Sequence, residues 1–199
     1  MFDFLKKPRN LAILGLMLAV TIILDSTPLG AIPLGAISAI ITHIPTIITG
    51  IILGPAAGFI MGTSLGVVLM LHALLRPLSP FDPLFINPLI SVLPRMFIGV
   101  AAYYVYFLVS KLIKKDTLKK TVASLAAGIA GSLTNTGLVF LMLYLIYAKE
   151  VAEKAGAPFK AILISVFTTN AIAEAAVSAV ITSAIVLAYY RIAKKNTLT

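Results

Sequence analysis

The chain is 199 residues long, 60% hydrophobic and 12% charged, with a mean hydropathy of +1.05. That is far too little charged surface for a soluble domain of this length, so the solvent must be mostly lipid. A net charge of +9 could suggest nucleic acid, but the basic residues cluster beside apolar stretches, as cytoplasmic membrane boundaries do, and nucleic-acid binding is set aside. Cysteine is absent, which excludes a disulfide framework, a thiolate metal site and a cysteine nucleophile.

Spanning the hydrocarbon core takes roughly 20 apolar residues per helix. In chain order, the apolar stretches predict spans at residues 10–27, 37–53, 56–75, 88–113, 121–148 and 160–190. The first reads as a span rather than a signal peptide, because Leu11 onward shows no A-x-A-like cleavage site. Gly54-Pro55 separates the second from the third, and Pro77, Pro80 and Pro83 separate the third from the fourth. Two connecting loops are rich in Gly or Pro and apolar enough to fold back over the helices: Ser26 to Ser38, and Arg76 to Asn87. The predicted fold class is therefore all-α, one integral membrane domain over residues 1–199 with six transmembrane helices.

Charge sets the expected orientation. Lys6, Lys7, Arg9, Lys111, Lys114, Lys115, Lys119, Lys120, Arg191, Lys194 and Lys195 fall on one side of a six-span protein; Arg76, Arg95, Lys149, Lys154 and Lys160 fall on the other. Eleven against five places both termini in the cytoplasm.

Polar side chains inside a bilayer cost several kcal/mol and are candidates for function. Asp25, His43, His72, Asn87, Arg95, Asn135, Asn170 and Glu174 all fall in the outer halves or the middle of the predicted spans, which implies one outward-facing polar cavity. Asn170 and Glu174, four residues apart, share a helical face. Arg95 or Arg76 suits an anionic ligand group, and the Asn amides suit hydroxyls and amides. The competing structural reading pairs Glu174 with Arg95. Either histidine alone reads as a packing or hydrogen-bonding residue, and two histidines with scattered carboxylates do not make metal-ligand spacing, so no metal or cofactor is expected.

No G-x-x-x-x-G-K-[ST] occurs, and Gly54, Gly58, Gly62 and Gly66 form a close-packing stripe rather than a phosphate cradle. No G-x-S-x-G, H-E-x-x-H or paired-carboxylate set appears, so the chain is not read as an enzyme. Apolar inner halves argue against a passive channel. Lacking a nucleotide site, the chain must act passively, use a gradient or borrow energy from partner subunits.

The stretch HIPTIITGIILGPAAGFIMGTSLG (His43 to Gly66), following a short basic N-terminus, resembles the substrate-binding S components of energy-coupling factor (ECF) vitamin transporters. That family's small-xxx-small motif in the first span, usually A-x-x-x-A, corresponds to Gly15-Leu-Met-Leu-Ala19. The resemblance implies a six-helix S component that captures a vitamin outside the cell. It would dock through its early spans, with Gly15 and Ala19 at the contact, on a transmembrane coupling subunit carrying two ATPases. The segment SPFDPLFINPLISVLPR, with TNTG and NAIAE, looks most like members assigned to pantothenate. The ligand set this implies is Asn87, Arg95, Asn135, Asn170, Glu174, His72 and Arg76. Folate is the alternative cargo, with pyridoxine or a pyrimidine behind it.

Overall fold

A computed structural model describes residues 6–34, 37–77, 79 and 81–195. Among the described residues, eight α-helices run in chain order: α1 (Pro8–Ser26), α2 (Ile44–Leu53), α3 (Pro55–Leu75), α4 (Pro88–Ser91), α5 (Leu93–Leu112), α6 (Asp116–Ala155), α7 (Phe159–Val166) and α8 (Ile172–Lys195). Among the described residues, five helical segments are long and apolar enough to cross a membrane: α1, α3, the α4–α5 pair over Pro88–Leu112, Leu118–Ala155 of α6, and Phe159–Ala193 across α7 and α8. The chain is thus a multi-pass helical membrane bundle. Large apolar side chains such as Leu16, Leu108, Tyr144 and Val180 stand exposed on its outside, where lipid takes the place of water.

The second predicted span differs. Instead of one helix over 37–53, the chain forms a two-stranded antiparallel hairpin and then the short helix α2, whose ten residues rise about 15 Å, half the hydrocarbon core. The strands are β1 (Ala31–Leu34) and β2 (Ile37–Ile40), with Ala31 opposite Ile40 and Ile32 opposite Ala39. Pro33 within this stretch is a poor helix residue but tolerable in an edge strand, and the two strands pair their facing backbone groups with each other. The fold is therefore helical with a small β element, not purely α.

A helix apolar on all sides belongs inside a bundle, and α2 sits there. Ile44, Ile47, Ile48 and Ile51 form the core with Leu65 of α3, Ile98 and Ala102 of α5, Ala127 of α6 and Val186 of α8. The α2–α3 join needs a glycine's freedom: Gly54 adopts φ +98° and ends α2, while Pro55 opens α3 without needing a donor.

Gly58, Gly62 and Gly66 do form a close-packing stripe, and its partner is α5. A Cβ on Gly58 would lie 2.8 Å from the Gly99 carbonyl carbon, and one on Gly66 would lie 2.5 Å from the Val92 Cα. Gly54, grouped with them from spacing alone, has nothing within 4 Å and belongs to the turn.

Two further departures concern the long helices. The fifth span runs on to Ala155, beyond its expected end at 148, and breaks its regular geometry at Tyr147 (φ −130°, ψ 25°). Between α7 and α8 the chain takes a π-helical turn over Phe167–Ala171.

Candidate functional site

At the end of the bundle where α1 finishes and α2 begins, a cavity of about 490 Å³ opens among the helices. That volume lies within the range of small-molecule sites, about 300–1,000 Å³. Its walls come from the end of α1 (Leu24, Asp25), the hairpin (Ala31, Ile40), the approach to α2 (Thr42, His43) and α3 (Leu65, Leu69, His72). Asp82 and Phe85 of the connection to α4, Arg95 of α5, Asn135 of α6 and Glu174 of α8 complete them. Apolar walls carrying a few convergent polar groups are the usual composition of a ligand pocket.

Arg95 sits in the first turn of α5, 6% exposed. One guanidinium nitrogen, Nη1, donates to the Ile90 carbonyl, and the group lies over the Phe85 ring with Cζ 5.6 Å from its centroid. Its Nε is buried without a hydrogen-bond partner. Among the described residues Arg95 has no ion pair, so the structural pairing with Glu174 is not formed. Glu174, 7% exposed, instead accepts a hydrogen bond at Oε1 from the Ile40 amide, 3.2 Å away. This ties the hairpin to α8 across the sequence. A guanidinium held by one neutral carbonyl and a ring face keeps unspent capacity for an anion.

Of the seven residues predicted to bind substrate, His72, Arg95, Asn135 and Glu174 line the cavity, whereas Asn87, Asn170 and Arg76 do not. Asn87 is occupied: Oδ1 caps α4 by accepting from the Leu89 amide at 3.0 Å, and Nδ2 donates to the Tyr147 hydroxyl at 3.3 Å. Arg76 follows the last turn of α3, exposed, with Nη2 3.5 Å from Ser26 Oγ. Asn170 falls in the π-helical turn that leads into α8. Gly15 and Ala19 lie on the exposed side of α1, and a Cβ at Gly15 would meet nothing within 4 Å.

The cavity also gathers Asp25 and His43, which the sequence placed among its polar residues without a ligand role, and sets Asp25 against His72. Asp25 and His72, on α1 and α3, meet with His72 Nδ1 3.0 Å from Asp25 Oδ2. His43 is 1% exposed and its Nε2 lies 2.8 Å from Ser178 Oγ on α8. His43 stands at the start of α2, where it lines the cavity beside Thr42. Asp25 and His72 are 47 residues apart and meet only because α1 and α3 pack together.

The sequence pattern of the family described as "ECF transporter, substrate-specific component" matches residues 9–186. The chain is also 26% identical over 195 residues to the pantothenic acid transporter PanT of Lactococcus lactis subsp. cremoris (strain MG1363), covering 90% of this chain and 93% of that protein.

Proposed function

This chain belongs to the ECF transporter substrate-specific component family, and from that premise we propose that it captures pantothenate for an ATP-driven importer. Membership accounts for a membrane protein of vitamin uptake. The choice of pantothenate rests on the chemistry of the cavity. The observation that carries it is Arg95: a buried guanidinium on the cavity wall with no acidic partner among the described residues. Such a group is stabilised by a carboxylate brought in by the ligand. Pantothenate has one carboxylate, two hydroxyls and an amide. Glu174 retains lone pairs for hydroxyl donors, and Asn135 offers an amide that makes no hydrogen bond among the described residues. The name of the Lactococcus relative points the same way. Folate would want a slot lined by aromatic rings, and among the described lining residues Phe85 supplies one phenyl ring, already covered by the Arg95 guanidinium.

The assembly follows from the same reading. The domain spans the membrane six times, with α2 and its hairpin as the second pass and both termini in the cytoplasm, so that the cavity opens outward. The exposed Gly15–Ala19 face of α1 docks on a transmembrane coupling subunit, whose two ATPases supply the energy. The chain carries no hydrolytic chemistry of its own.

Mass spectrometry of small molecules retained by the purified protein, followed by titration with pantothenate, folate and pyridoxine, tests the cargo. Retention of pantothenate and preference for it are expected. Binding of folate or pyridoxine with no response to pantothenate would overturn the assignment.

A further inference from the structure

Two nitrogens on the walls of the cavity are buried without a hydrogen-bond partner: Nε of Arg95 and Nδ1 of His43. A buried polar group left unpaired costs about 1–3 kcal/mol, so two on one cavity call for an explanation outside the chain's own bonds. We propose that His43 is a specificity-determining residue whose Nδ1–H, together with the Arg95 guanidinium, receives the ligand's carboxylate. The proposal rests on the pantothenate reading and adds to it the second donor and the residue that aims it.

Ser178 fixes which nitrogen of His43 carries the hydrogen. Its hydroxyl is 0% exposed and His43 Nε2, at 2.8 Å, is its hydrogen-bond partner among the described residues. If Nε2 were the donor, the Ser178 hydroxyl hydrogen would be buried with no acceptor. Donation from Ser178 to Nε2 satisfies both groups and leaves the ring hydrogen on Nδ1. Nδ1 is then a donor, matched to an anion and mismatched to a ligand hydroxyl hydrogen. Helix α2, which His43 precedes, packs on both α5 and α8, so the elements bearing Arg95, His43 and Ser178 are mutually braced. The guanidinium supplies the charge. The imidazole supplies a second directed bond that an uncharged end group uses poorly, since hydrogen bonds to charged partners are roughly twice as strong.

The probes are pantothenate and panthenol, in which a hydroxymethyl group replaces the carboxylate. Histidine labelled with ¹⁵N gives two ring systems, since the chain has two histidines, and a His72→Gln variant assigns them. The free protein should show His43 as the Nδ1–H tautomer, and saturating pantothenate should shift that signal while panthenol moves it less. The paired change His43→Leu with Ser178→Ala removes both partners and strands neither. It should lower the preference for pantothenate over panthenol by about tenfold to a hundredfold, the loss falling on pantothenate. An Nε2–H tautomer, a His43 signal indifferent to bound pantothenate, or an unchanged preference in the folded double variant would each overturn the proposal. Should the double variant not fold, the tautomer and the shift in the wild-type protein decide. A wild-type protein that binds neither probe defeats the pantothenate reading and this pairing with it; one that binds pantothenate without a response at His43 defeats the pairing alone.

Discussion

Arg95 and Asn87 stand eight residues apart and separate two kinds of polar residue that a membrane sequence displays alike. Arg95 lines the cavity with an unpaired Nε, so Arg95→Ala should leave a folded protein whose affinity for pantothenate falls by about 2–5 kcal/mol. Arg95→Lys should recover part of that, because an ammonium cannot reproduce the planar fork. Isothermal titration of both variants in detergent checks it; unchanged affinity in a well-folded Arg95→Ala protein would remove the anion site. Asn87→Ala should do the opposite. Its side chain is committed to the α4 cap and to Tyr147, so the change should lower thermal stability, by about 0.5–2 kcal/mol for the cap, and leave ligand affinity near that of the wild type. Their expected depth in the fourth span does not distinguish the two. Hydrogen-bond partners do, and these are contributed by Ile90, Leu89 and Tyr147 as the chain folds.

Glycines on two helices make the corresponding contrast at the scale of elements. Gly58 of α3 meets Gly99 of α5 backbone to backbone, with reciprocal approaches of 2.6–2.9 Å for an added Cβ. Gly58→Leu should therefore force α3 and α5 apart, costing more than the about 1–3 kcal/mol typical of overpacking, and the protein should fail to yield a monodisperse species on size-exclusion chromatography. Gly15 of α1 has open space around it, and Gly15→Leu with Ala19→Leu should be accommodated. That double variant should bind pantothenate as the wild type does and lose uptake in vesicles holding the full complex, because bulk on this face keeps a partner helix away. Uptake that survives would move the docking surface elsewhere. In sequence the two sets of small residues look the same. What distinguishes them is whether the chain itself supplies the helix that fills the groove, which it does for α3 and does not for the exposed side of α1.

For the molecule as a whole, orientation remains a matter of charge, and the absence of cysteine makes it directly measurable. Lys115, before α6, and Ala155, at its far end, are both exposed. Single cysteines at these positions should react oppositely to an impermeant thiol reagent applied outside intact cells, with 155 labelled and 115 spared. The reverse pattern would place the cavity on the cytoplasmic side. The same scale shows where sequence reasoning ended. Composition and the length of the apolar runs determined a multi-pass helical bundle, because a lipid solvent leaves the backbone few alternatives and writes that demand into every span. The motif from His43 to Gly66 identified the family, since Gly54 and Pro55 perform local backbone tasks that stay legible without neighbours. Only the tertiary structure replaced the second span by a hairpin and a ten-residue core helix, because α2 is sheltered by α3, α5, α6 and α8 and need not reach across the bilayer alone. Only packing brought Asp25 to His72, His43 to Ser178 and Glu174 to the Ile40 amide. Those pairs join residues 47 to 135 positions apart, and hydrogen bonds of that reach depend on helix placement, which hydrophobic periodicity does not encode.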